Sequence, residues 1–210
     1  MEDALATVLR RSVALTVAGR TDRGVHARGQ VASHAGAPAA ARNLNALLPP
    51  DVGVRASEAA PDGFDARRDA VSRTYRYRVL ARPAPSPLER GRALWWPQRI
   101  DQEALDACAA AVRGSHDFTA FTPTETDHVR FERTVLRAEW IDEGDGVIGF
   151  WIEADTFMRH MVRVLVGTML VVAGGRTSAG AFAGLLAGRP RTEAAETAPA
   201  HGLYLESVRY

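Results

Sequence analysis

The chain contains no lysine: all 26 of its cationic side chains are arginine. That excludes chemistry through a lysine nucleophile or Schiff base, and it fits a GC-rich genome better than selection for one partner. Cysteine is almost as scarce. A lone Cys108 supports neither an internal disulfide nor a cysteine-rich metal site. With no secretory-type leader ahead of the fold, a cytoplasmic location is expected. Long hydrophobic runs are missing too. The best, residues 162–173, falls short of the ~20 residues of a membrane span and holds Arg163. A buried helix is expected there, and no membrane partner. The histidines at 26, 34, 116, 128, 160 and 201 lack ligand-like local spacing, and no phosphate-binding loop or dinucleotide fingerprint occurs. Neither a metal nor a cofactor is therefore expected. Net charge is only +1, yet residues 1–105 hold 16 arginines against 11 acids, and residues 106–210 hold 10 against 14. A basic front half suits a phosphate-rich partner.

What is present is enough apolar sequence for a sizeable core, 46% of 210 residues, in one large domain or two small ones. Leu5, Val8 and Leu9 predict an amphipathic helix near the start. Residues 39–48 predict a second, closed by Pro49-Pro50. Residues 71–80, rich in β-branched and aromatic side chains, predict a strand. Asp101 opens the clearest helix as a side-chain cap; Leu105, Cys108, Ala109 and Val112 give it one apolar face, which makes Cys108 a core residue. Residues 134–141 and 147–154 predict a hairpin, 157–172 and 178–187 two helices, and 203–210 a last strand. Strands and helices mix without regular alternation, so the fold class is α+β.

The most informative segment is Ala18-Gly19-Arg20-Thr21-Asp22-Arg23-Gly24-Val25-His26-Ala27-Arg28-Gly29-Gln30. It lies between two short apolar runs, Val13 to Val17 and Gln30 to His34, that read as strands. Three glycines permit tight bends and close approach to a ligand. Three arginines suit phosphate or a flat base. Asp22, one carboxylate among these cations, is a candidate nucleophile. The plainer reading is that Asp22 caps a turn and the arginines face water.

The string Gly-Arg-Thr-Asp-x-Gly-Val-His-Ala-x-Gly-Gln resembles the signature of the tRNA pseudouridine synthase A family, also called tRNA-uridine isomerase I. Three further segments carry the same resemblance: Arg73-Thr74-Tyr75-Arg76-Tyr77, Phe157-Met158-Arg159-His160-Met161-Val162-Arg163 with Val166-Gly167, and His201-Gly202-Leu203-Tyr204-Leu205. From spacing alone, Tyr75 and Tyr77 share one strand face and could be mere core. Arg159 and Arg163 would share one face of an apolar helix, where a buried arginine needs an anionic partner. The resemblance implies more. Arg163 would pair with Asp22 as catalytic carboxylate, Tyr75 would stack on the target uracil and move a proton late in the reaction, and Leu203 would line the uracil pocket. Arg20 would fill the space left by the displaced nucleotide or hold flanking phosphates, and Arg23, His26 and Arg28 are the loop's other RNA-facing candidates.

The implied reaction isomerises uridine to pseudouridine at tRNA positions 38, 39 and 40 in the anticodon stem-loop, without a cofactor. It begins by attack of Asp22 at C1′ or by removal of a C2′ proton; both routes stay open. Members act as homodimers with tRNA bridging the subunits. The implied fold has two mixed or antiparallel sheet domains, residues 1–66 and 67–210, with helices on one face and the active-site cleft between them. Family members carry a strand ahead of the first helix that is expected to be missing here. That leaves, as the alternative, a non-catalytic tRNA-binding module, a truncated or degenerate copy. A metal-free hydrolase using Asp22 with His26 or His160 lacks a supporting nucleophile motif.

Overall fold

Tyr75, Tyr77 and Val79 alternate with Thr74, Arg76 and Arg78, and the period of two places the apolar set on one face of a strand and the charged set on the other. That strand organises the larger part of the molecule. The structure, a computed structural model, describes residues 1–126 and 128–210. It contains five helices, α1 (Glu2–Leu9), α2 (Ala41–Asn45), α3 (Gln102–Val112), α4 (Met161–Ala173) and α5 (Ala179–Gly184). Its strands are β1 (Thr16–Val17), β2 (His26–Ala27), β3 (Ala32–Ser33), β4 (Ser72–Leu80), β5 (Leu94–Trp95), β6 (Gly114–Asp117), β7 (Glu132–Gly144), β8 (Val147–Ala154) and β9 (Leu203–Arg209). Among the described residues no helix is long and apolar enough to cross a membrane.

The chain divides into two compact units, residues 1–20 with 30–70, and residues 21–29 with 71–210. In the smaller, β1 pairs antiparallel with β3, and each lies within one of the apolar runs that read as strands. Ala4 and Leu5 of α1 pack with Val13, Ala39 and Leu44. Helix α2 is shorter than residues 39–48 suggest. Asn45 ends it by exchanging side-chain hydrogen bonds with the backbone of Val54, at 2.8 and 2.7 Å. Arg20 belongs to this unit; it is exposed and lines a cavity of about 170 Å³ with Thr16 and Arg67.

The larger unit is a seven-stranded mixed sheet in the order β2-β9-β4-β8-β7-β6, with β5 added to β4. β2 runs parallel to β9 and β5 parallel to β4; the other pairings are antiparallel. Helices α3, α4 and α5 cover one face, where Tyr77, Phe150, Ile152, Leu105, Leu165 and Phe182 form one core. Asp101 caps α3 as expected, its carboxylate accepting from the Ala104 N–H at 3.1 Å, and Cys108 lies fully buried on the apolar side. On the opposite face the Arg76 guanidinium is sandwiched between Trp151 and Tyr204, 5.2 and 5.1 Å from the ring centres. It also pairs with Glu206 at 2.7 Å and Glu143 at 3.2 Å, which ties β9 to the middle of the sheet.

Residues 21–29 fall in the larger unit, which also holds Arg163. The cause is backbone pairing: β2 adds to β9, and the Arg28 and Gly29 N–H groups both donate to Leu205 O. Gly29 is required for that approach, because a Cβ there would lie 2.3 Å from Glu206 O. One expectation changes, the start of α4. It begins at Met161 and not at 157, because His160 is left-handed (φ 61°) and breaks the helical path. Arg159 is therefore exposed ahead of the helix and shares no helix face with Arg163.

Candidate functional site

Asp22 opens a tight turn, with the Val25 N–H donating to Asp22 O at 3.0 Å and Gly24 at φ +86° in its third position. That position requires φ above zero, which glycine adopts without strain. The turn is anchored immediately downstream, where the His26 ring stacks on Tyr204 (centroids 4.6 Å apart) and its Nε2 meets Gly91 O at 2.9 Å. A turn anchored in this way presents the Asp22 side chain in one place.

That place is beside the first turn of α4. Arg163 Nη1 donates to Asp22 Oδ2 at 2.9 Å, and His160 Nε2 lies 3.2 Å from the same oxygen. Arg163 is itself held from the other side. Its Nε donates to Ala198 O at 2.8 Å, and the Ala198 N–H donates back to Arg163 O at 3.1 Å. The guanidinium thus has two jobs along two directions, orienting a carboxylate and clamping a backbone segment. Lysine has a single nitrogen and cannot do both. Arg163→Lys is expected to lower any turnover that depends on Asp22 by about 10²-fold while substrate binding persists. Steady-state rates beside a binding assay check it, and near-wild-type turnover would mean that the fork geometry is irrelevant.

Tyr75 stands on β4 facing the helices, 9% exposed, its ring edge-on to Phe157 at 5.0 Å. Burial pushes its phenol up to about 12; Arg73 opposes the rise and the nearby Asp22 charge adds to it. At neutral pH Tyr75 is therefore a protonated ring, able to pack on a base and to donate a proton, and not a phenolate. Leu203 is buried where β9 begins, opposite Tyr77 in the sheet. Tyr77 is committed elsewhere, its hydroxyl donating to Pro199 O at 2.8 Å. The spacing left Tyr75 and Tyr77 equivalent, but their contacts separate them.

The structure thus brings together Asp22 and Arg163, and places Tyr75 close enough to feel the Asp22 charge. Arg23 is exposed on the turn and Arg28 just beyond β2, where it reaches Glu206 at 3.8 Å. His26 is engaged with protein groups on both its ring face and its Nε2. Sequence reasoning set His160 beside Asp22 only in the hydrolase alternative and gave no role to the Ala198 carbonyl. A backbone acceptor leaves no trace in residue type, and a histidine inside an apolar stretch reads as part of the helix. Among the described residues, no group of three or more His, Cys, Asp or Glu side chains is placed to share a metal ion.

A carboxylate held by arginine near a buried tyrosine suits chemistry at an anomeric carbon, where carboxylates serve glycosidases. Comparison with known proteins agrees. A family model described as tRNA pseudouridine synthase matches residues 108–210. The chain is 47% identical to a tRNA pseudouridine synthase A of Roseiflexus sp. (strain RS-1) over 207 residues, covering 93% of this chain and 75% of that protein. The protein of the same description from Streptomyces griseus is 42% identical, with 100% and 78% covered. Its counterpart in Francisella tularensis (strain SCHU S4 / Schu 4) is 34% identical, with 100% and 83% covered. On this similarity over nearly its whole length, the chain belongs to the tRNA pseudouridine synthase A family, isomerases whose substrate is tRNA.

Proposed function

We propose that this chain converts uridine to pseudouridine at positions 38, 39 and 40 of the tRNA anticodon stem-loop, with Asp22 as the catalytic carboxylate. The observation that carries this reading is the 2.9 Å pair of Arg163 with Asp22 Oδ2, in a turn locked onto the sheet. The reaction breaks the bond from C1′ to N1 and forms one from C1′ to C5. The C5 hydrogen leaves as a proton and N1 gains one, so atoms balance without a cofactor. Attack at C1′ and removal of the C2′ proton both start from the same carboxylate. The detached uracil must be held against a dry wall, for which Tyr75 and Leu203 are the candidates. The target nucleotide must leave its stack, at a cost of a few kcal/mol. Arg20 and the exposed Arg23 and Arg28 are assigned to phosphates and the vacated space, with His26 fixing the loop they stand on. The active form is proposed to be a cytoplasmic homodimer bridged by tRNA.

Tritium placed at uridine C5 of tRNA reports the reaction directly, since that hydrogen is released to solvent only when C5 joins the sugar. Release that requires Asp22 supports the reading. Tight tRNA binding without release would instead identify a binding module.

A further inference from the structure

We propose that His160 is a positioning residue for Asp22. Together with Arg163 it fixes the carboxylate oxygen Oδ2, and so leaves Oδ1 to face the ribose. The inference rests on the proposed catalytic role of Asp22.

Three observations converge. The first is geometric: both nitrogens approach the same oxygen, Arg163 Nη1 at 2.9 Å and His160 Nε2 at 3.2 Å, while Oδ1 has no partner among the described residues. A carboxylate held through one oxygen by two side chains from one helix start cannot rotate freely. Its other oxygen then points in one direction, the condition for a near-attack arrangement. Contacts of this kind tighten further when substrate closes a site.

The second is backbone conformation. Three non-glycine residues among those described have positive φ: Arg10, Asp145 and His160. Arg10 closes α1 and Asp145 sits in the β7–β8 turn, both ordinary places for it. His160 instead precedes a helix, where extended geometry is usual. Met158 and Met161, 4% and 1% exposed, bury the chain on either side and hold it there. The left-handed residue is what turns the imidazole off the helix path and onto Asp22. Strain maintained by packing at a candidate site is a pointer to function.

The third is charge. The charges of Asp22, Arg163, Arg159 and Arg191 act on the imidazole. Burial lowers the His160 pKa below 6.5, Asp22 pulls the other way, and the three arginines add to the fall. The start of α4 also disfavours a cation. The ring is therefore neutral at pH 7, with the proton on the nitrogen that faces the carboxylate. A neutral donor orients Asp22 without placing a second full charge on it. As pH falls through the lowered His160 value, protonation adds that charge and blunts the carboxylate.

Two variants separate positioning from folding. His160→Asn keeps a residue type that tolerates the left-handed region but is too short to reach Oδ2. His160→Gln carries an amide nitrogen at about the reach of Nε2 and does not titrate. Both are compared with wild type and Asp22→Asn for tritium release between about pH 5 and 8, tRNA binding and thermal melting. H160N is expected to lose on the order of 10- to 100-fold in kcat with KM, binding and melting unchanged. H160Q is expected to recover most of the loss and to lack the acid limb expected of wild type. Wild-type kcat in H160N, an unchanged acid limb in H160Q, or losses in both variants that follow melting or tRNA binding would each overturn the proposal. Retained turnover in Asp22→Asn would instead remove the role of Asp22, whatever the His160 variants do.

Discussion

Asp22→Asn is expected to reduce pseudouridine formation by about 10⁴-fold or more, with tRNA affinity and stability close to wild type. The substitution is nearly isosteric, and the asparagine carbonyl still accepts from Arg163 Nη1. What it removes is the charge, and with it the capacity to attack C1′ or to take a proton. The stability side follows from exposure. The Asp22 side chain is 36% exposed, so water already screens its ion pair with Arg163. Arg163 is more buried, at 14% exposed, but a pair screened on one side is still worth only about 1 kcal/mol. Arg163 also keeps its Ala198 partner when the charge goes. An effect on the fold is thus too small to mimic a catalytic loss of this size. Single-turnover tritium release with saturating enzyme measures the chemical step, and a filter-binding isotherm measures affinity. Turnover within about tenfold of wild type would exclude Asp22 as the reacting carboxylate, since removing a group that acts in the transition state costs far more.

The parts of this site legible in the sequence were those fixed by local rules. Alternation placed Tyr75 and Tyr77 on the core side of β4, where both are found. A side-chain cap at Asp101 and a glycine-bearing turn between β7 and β8 were written in residue types. The signature loop gave Asp22 and its glycines, and the helix motif gave Arg163. The features that escaped depend on distant partners. His26–Ala27 reads as loop because two residues have no periodicity; only β9, far along the chain, makes them a strand. Assigning that loop to the larger unit needed the same pairing. The true start of α4 was hidden because residues 157–160 are as compatible with helix as those after them. What overrides them is a left-handed histidine held by buried neighbours. The clamp on Arg163 is a main-chain carbonyl, which no residue type announces.

That clamp leads to the largest structural effect expected of a single methyl group. Gly167 lies in the middle of α4, where alanine would ordinarily stabilise the helix by up to about 1 kcal/mol. Here its Cβ would sit 2.1 Å from Glu196 O, 3.3 Å from Glu196 C and 3.4 Å from Ala198 N. These are backbone atoms, so no side chain can swing aside. Either α4 or the 196–198 segment must move, and that segment is joined to α4 through both Arg163 bonds with Ala198. Overpacking of this kind costs about 1–3 kcal/mol, occasionally more, which outweighs the gain in helix propensity. Displacing Ala198 also loosens the guanidinium that holds Asp22, and misplacement by about 1 Å can cost on the order of 10² in rate. Gly167→Ala should therefore lower both the urea midpoint and kcat. Gly184→Ala serves as control: at the end of α5 its new Cβ meets nothing within 4 Å, so stability should hold or rise slightly. Urea melts and tritium release on both variants decide the matter. A Gly167→Ala protein as stable and active as wild type would show that the 196–198 segment yields freely. The orientation of Arg163, and through it that of Asp22, would then have to come from within α4 alone.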